Sequence, residues 1–412
     1  MPDDNEPSKK RPWGFFRTHK GLSRLRLACS RLPALLAKDL GRNFLNLSEF
    51  AGFSSGAKSL VANLRSQRSP HAPASSIPPP PPGKWGKPVI FASACSSKEK
   101  PGGWRFNGGI KLLNNLVKVL RKHGYEAYLV TFDGTYEPWL LDHQPHLSLE
   151  AFRDKLQGSP DVRCVTSWAE AAAFIDECRQ VYFWDMELAW TEHSHFPAIA
   201  KLYRAKLRKT ASISRTIQAW HMAHFEKPCI NLPLLIDESL WSPDASLRKP
   251  RRVGYMEEGS LTSGYIQAIR ESASAAGLDL EFYLLHGMEA DILAGMRTCE
   301  VFLGMNVGKD PLWGEGCPLS TLESLSAGCV FLAFDLLGNR EIVENGFNGI
   351  LVPTRRPDLM ARELIRLYRS PAELNRLQNN ARLLRETSQT MEARWPLIAE
   401  FLELESHSAE KT

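Results

Sequence analysis

The chain has no Asp-x-Asp, no Gly-x-Gly-x-x-Gly and no Gly-Lys-Ser/Thr. The first absence gives no support to a metal bridging a nucleotide diphosphate. The other two leave dinucleotide and P-loop phosphate chemistry unsupported. None of the eight cysteines forms a Cys-x-x-Cys pair, so free thiols in a reducing compartment are the simplest expectation. There is no His-Glu-x-x-His. His193, His195, His221 and His224 form two pairs without a nearby third ligand, which is the pattern of ordinary polar histidines rather than of a metal site. No apolar run approaches the roughly 18 residues that a membrane-crossing helix needs. Near the N-terminus Arg24, Arg26, Arg31 and Lys38 break every apolar window, so no signal-peptide core is read there. A cytoplasmic protein with no metal site is expected.

What is present describes a globular protein of two or three domains: 412 residues, 43% hydrophobic and 24% charged. The net charge of +5 conceals a division. Residues 1–84 carry 14 Lys/Arg against 5 Asp/Glu, and the remainder carries 37 against 41. Basic character therefore belongs to an N-terminal extension, and no nucleic-acid partner is expected for the body. Within that extension, Leu22, Leu25, Leu32, Leu36, Leu40, Phe44 and Leu47 recur near helical spacing among basic residues, interrupted by Pro33. Residues 21–53 thus read as a basic amphipathic helix for an anionic membrane surface, at the inner face of the membrane, as a helix lying on the protein itself, or as a partly ordered tail. Residues 69–84 (SPHAPASSIPPPPPGK) read as an extended proline linker.

The body opens with a strand at Pro88–Ala94, a glycine-rich loop ending at Gly108-Gly109, a helix from Ile110 to about His123, and a strand at Ala127–Phe132. This is a Rossmann-like order. Further strands are expected at Gln180–Met186, from Arg251 (RRVGYM), at Leu280–His286 and at Glu300–Met305, alternating with helices in a parallel α/β pattern.

The most informative stretch runs from Trp313 to Pro353. Glu315 and Glu323 stand eight apart, with Gly316, Pro318, Leu319, Ser320 and Thr321 between them. Gly-Cys-Pro predicts a loop ending in a helix start. Leu319, Leu322 and Leu325 give that helix an apolar face, Gly328 ends it, and Cys329–Phe334 reads as a buried parallel strand. Free N–H groups and the positive end of the dipole make such a helix start an anion site. Glu323, one turn in, is placed to accept two sugar hydroxyls while the amides hold a phosphate, and Glu315 could reach a second polyol. The plainer reading makes both glutamates ordinary surface charges of a solvated cap.

The order E-G-x-P-x-x-x-x-E, then A-G-C-V-F-L-A-F-D, then G-N-R-E-I-V-E-N-G-F-N-G-I-L-V-P resembles the donor-binding half of retaining GT-B glycosyltransferases of the group-1 family. That resemblance implies two Rossmann-like domains with parallel sheets behind the basic extension. The expected boundaries are 1–84 for the extension and linker, 85–235 for an acceptor domain and 236–389 for a nucleotide-sugar donor domain. Residues 390–412 would form a C-terminal helix crossing back, with a tail. It further implies transfer of a sugar from a nucleotide-sugar donor to a glycan, lipid or small-molecule acceptor, with no cofactor. Glu323 would hold the ribose and Glu315 the transferred sugar. Pro318, Leu319 and Ser320 amides would face the diphosphate, beside Gly316, Gly338 and Asn339. Gly108 and Gly109 match the family's Gly-Gly pair and, with Asp185, would lie near the acceptor.

The sequence departs from the family in two places. Asp185 and Glu187 stand where a histidine is usual, and Glu257-Glu258 stand where an arginine and a lysine usually neutralise the departing diphosphate. Arg251, Arg252 and Lys309 are the candidates to replace that charge, with Lys309 favoured by its place in the loop before Glu315. The rival expectations are a degenerate, non-catalytic member that binds sugar or serves membrane assembly, or an epimerase or phosphorylase on the same fold.

Overall fold

The computed structural model describes residues 88–92, 108–131, 134, 136–158, 162–167, 180–186, 207–225, 228–257, 261–305, 318–387 and 390–404. All lie in one compact unit, Pro73–Thr412. The basic extension with its 21–53 segment, the proline linker, Glu258, Lys309, Glu315, Gly316, His193 and His195 lie outside the described residues.

Twelve strands and ten α-helices are described. The strands are β1 (Pro88–Ala92), β2 (Glu126–Val130), β3 (His146–Leu147), β4 (Arg163–Thr166), β5 (Gln180–Asp185), β6 (Leu207–Ser212), β7 (Cys229–Asn231), β8 (Arg252–Tyr255), β9 (Glu281–Leu284), β10 (Val301–Gly304), β11 (Val330–Phe334) and β12 (Gly349–Val352). The helices are α1 (Gly108–Lys122), α2 (Leu149–Gly158), α3 (Arg215–Phe225), α4 (Thr262–Ala275), α5 (Glu289–Thr298), α6 (Leu319–Ser326), α7 (Leu337–Arg340), α8 (Pro357–Arg369), α9 (Pro371–Thr387) and α10 (Met391–Leu402).

The strands form two parallel sheets, in the orders β3-β2-β1-β4-β5-β6-β7 and β12-β11-β10-β8-β9. Continuous apolar strands are what a sheet covered on both faces requires, and β10 and β11 are buried at every position. One apolar core runs from α1 through β5 and the 232–241 segment to α5, α6 and β11. A second lies on the opposite face of the five-stranded sheet, under α4, α8 and α9.

In each sheet the strand order reverses once, between β1 and β4 and between β8 and β10. In open parallel sheets ligands bind outside the carboxyl ends of strands at that point. Helix α1 follows β1, and α6 follows β10, so both helix starts lie at carboxyl ends. Helix α6 begins with Pro318 as its N-cap, one residue before the position that the sequence predicts for it. It stops where Gly328 takes φ +87° and the Arg248 guanidinium donates to the carbonyls of Ala327, at 3.1 Å, and Gly328, at 2.8 Å. A Cβ on Gly328 would meet Arg248 Nη2 at 2.7 Å, so glycine suits both the dihedral and the packing.

The C-terminal helix α10 lies against β6, β7 and α1 of the first sheet. Trp395 stacks on His123 with ring centroids 3.6 Å apart, Glu392 pairs with Lys122 at 2.6 Å, and Arg163 donates to the carbonyl of Glu403 at 2.9 Å. Among the described residues no helix is long and apolar enough to cross a membrane. Cys164, Cys229, Cys299 and Cys329 are buried thiols in no disulfide, and burial pushes the Cys329 thiol up to about 12.

Candidate active site

The two carboxyl-end helix starts meet. A Cβ built on Gly108 would lie 3.8 Å from Leu319 Cβ, an ordinary contact, so α1 and α6 touch end to end without crowding. One turn into α1 stands Lys111, and one turn into α6 stands Glu323. Their side chains form a salt bridge. Lys111 Nζ also lies 2.5 Å from Glu289 Oε1 of α5 and 4.2 Å from the centroid of the Trp241 ring. Glu289 is held in turn by the Leu141 N–H at 2.7 Å and by Trp241 Nε1 at 3.3 Å. All three charged side chains are less than one-tenth exposed. Buried charges persist when paired and hydrogen-bonded. Here one ammonium serves two carboxylates and an aromatic face. Burial pushes the Glu323 carboxyl above its ordinary range, the Lys111 charge and hydrogen bond pull it down, and the Glu289 charge raises it again.

A second contact joins the sheets. Glu341, in the G-N-R-E-I-V segment, accepts from the backbone N–H groups of Arg215 at 3.0 Å and Thr216 at 3.4 Å. It thereby caps the start of α3, where unsatisfied donors and the helix dipole favour a carboxylate. Glu341→Ala is expected to lower stability by about 1 kcal/mol, the scale of a lost helix cap. Thermal unfolding checks this, with Glu341→Gln recovering part of the loss through its remaining acceptor oxygen.

Hydrogen bonds tie the rest of the 338–352 motif into its own surroundings. Asn339 donates to the Phe334 carbonyl at 2.9 Å and accepts from Thr321 Oγ1 at 2.9 Å, tying α7 to β11 and α6. Those bonds occupy the side chain of a residue expected at the donor; Gly338, beside it, is buried. Asn345 accepts from the Leu351 N–H at 2.9 Å, and Asn348 bonds Glu344 and Ile342, folding the turn that leads into β12.

Asp185, expected near an acceptor, has its side chain fully buried at the end of β5 and bonded at 2.6 Å to Nε2 of His221, from α3. A desolvated carboxylate needs such a partner, and the imidazole supplies it. His221, read in the sequence as an ordinary polar histidine, therefore arrives at the strand end that lacks its own. Arg252 opens β8 at the amino edge of the second sheet, bound to Glu281 at 2.5 Å and stacked on Tyr283 at 4.5 Å. Arg251 lies exposed in the turn before it with φ +62°. Neither stands at the carboxyl ends. Glu257 does, and it is exposed. Among the described residues no group of three or more His, Cys, Asp or Glu is arranged to hold a metal.

Lys111 and Glu289 were not legible as site residues. In the run IKLLNNLVKVL, Lys111 falls on the polar side of the helix with Asn114, Asn115 and Lys118, so nothing there marks a buried charge.

Residues 265–384 match the family model described as Glycosyl transferases group 1. No curated protein matches the sequence significantly. The fold is shared with the crystal structure of Anabaena HepE in complex with UDP-glucose, at 15% identity and TM-score 0.57, covering 77% of this chain and 99% of that one. Sucrose-phosphate synthase from Thermosynechococcus elongatus is similar at 13% identity and TM-score 0.57, covering 77% and 98%. A glycosyltransferase from Rickettsia africae is similar at 10% identity and TM-score 0.56, covering 78% and 100%. The two-sheet body is a GT-B fold, and the match to the group-1 glycosyltransferase model falls within its second half.

Proposed function

We propose that the protein moves a sugar from a nucleotide-sugar donor to a glycan, lipid or small-molecule acceptor, with retention at the anomeric carbon and without a metal. The observation that carries this reading is the family match over 265–384, which contains α6 and Glu323. The donor's diphosphate would lie at the start of α6, where free N–H groups and the dipole favour anions. Glu323 would accept the ribose hydroxyls, as charge-assisted hydrogen bonds do well. Glu315 would hold the transferred sugar, and the acceptor would come from the side of Gly108 and Gly109. Retention and the role of Glu315 follow from the sequence resemblance.

The HepE structures contain UDP, UDP-glucose and glucose, so uridine nucleotides are the first probes. Incubating the full chain with UDP-, ADP- and GDP-sugars tests the reading, first by thermal shift and then by release of nucleoside diphosphate. A ligand at 100 times its Kd raises stability by about 2.7 kcal/mol. The anomeric configuration of any product, read by NMR, tests retention. A melting temperature unmoved by every nucleotide would overturn the reading.

One observation favours a second reading. Glu257 is exposed just beyond the carboxyl end of β8, where a cation would ease departure of the diphosphate. A non-catalytic sugar-binding subunit would bind nucleotide sugar and release no diphosphate.

A further inference from the structure

The donor reading leaves Lys111 unassigned. It stands at the junction of the sheets, in contact with the carboxylate assigned to the ribose and 212 residues from it in the chain. A lysine used only to close the interface would need one carboxylate, and Glu289 supplies that at 2.5 Å. Lys111 instead bridges to Glu323 as well, and Trp241 covers its outer face.

Resting on the donor reading above, we infer that Lys111 is a positioning residue of the nucleotide site, fixing the charge and aim of the Glu323 carboxylate for the ribose hydroxyls. A carboxylate accepts a ribose diol well only when ionised, and burial opposes ionisation. Among the described residues the charged groups facing Glu323 are Lys111 from α1 and Glu289 from α5, one favouring its charge and one opposing it. An ionised carboxylate has about four lone-pair sites. Lys111 on Oε1 therefore leaves capacity for two hydroxyls. The Nζ is itself fixed by Glu289 and the Trp241 ring, so the aim of Glu323 is set before a ligand arrives.

The test is calorimetry of UDP, ADP and GDP binding to the full chain between pH 6 and pH 9. Lys111→Met alone leaves two buried carboxylates together, so it is combined with Glu289→Gln, and Glu289→Gln alone is the reference. Lys111→Arg is the conservative rescue. Without its cation Glu323 has a folded pKa raised further, is neutral at low pH, and ionises as pH rises. The double variant should therefore bind several-fold more weakly than the reference at pH 6 and recover toward pH 9. The diphosphate's own ionisation near pH 6 is common to all variants and cancels. Lys111→Arg should keep the wild-type profile. Parallel profiles for the double variant and its reference overturn the role of Lys111. Tighter binding by the double variant also overturns it, marking the lysine as an obstruction. A wild-type chain that binds none of the three nucleotides removes the donor reading itself.

Discussion

Lys111→Ala is expected to destabilise the protein by about 3–5 kcal/mol, the cost of removing one partner from a buried ionic cluster. The magnitude comes from what remains. Glu289 and Glu323 would stay nearly buried, both having lost the one side chain they share, and among the described residues no other cation pairs with either carboxylate. Two carboxylates in one desolvated site oppose each other's ionisation. The sign with pH follows. In the variant Glu323 would have a folded pKa above its unfolded value, so its contribution is fully present at low pH and lost as pH rises through the folded pKa. The gap between wild type and variant should thus be wide at pH 8 and narrow at pH 5. Urea unfolding at the two pH values measures it. Lys111→Met combined with Glu289→Gln and Glu323→Gln keeps shape without charge and should recover most of the stability. A triple variant as unstable as Lys111→Ala would assign the loss to packing against Trp241 instead.

The parts of the fold that could be read from the sequence were those where one period dominates. The apolar runs around β1, β2, β5, β10 and β11 are strands within one or two residues of their expected ends, because burial on both faces of a parallel sheet demands apolar residues at consecutive positions. Two- and three-residue strands such as β3 and β7 are too short to carry a period, and β12 lies inside a turn motif that reads first as loop. The helix that carries Glu323 could be read because the residues that shape it adjoin one another in the chain. Lys111, Glu289 and Trp241 could not, since their meeting depends on two sheets bringing their carboxyl ends together. The same holds for His221: its neighbours in sequence say nothing of Asp185, which only the β5–β6 pairing and the turn into α3 bring within reach.

Glu323→Ala is expected to weaken nucleotide binding about 10- to 150-fold while leaving the fold intact. The loss corresponds to about 1.5–3 kcal/mol, the scale of hydrogen bonds to a charged group. The contrast with Lys111 comes from charge balance within one cluster. Taking away Glu323 leaves Lys111 with Glu289 at 2.5 Å, one cation with one anion, still covered by Trp241. Removing Glu323 also removes a carboxyl that burial holds above its ordinary range, so little stability is forfeited with it. Its position in the second turn of α6, away from Pro318 and Gly328, spares both ends of the helix. The unliganded melting temperature should therefore stay near that of wild type while calorimetry with UDP shows the weakened affinity. Glu323→Gln should fall between the two, since an amide oxygen accepts one hydroxyl where a carboxylate accepts two. Wild-type affinity in Glu323→Ala would move the ribose away from this helix and leave its carboxylate as a member of the interface alone.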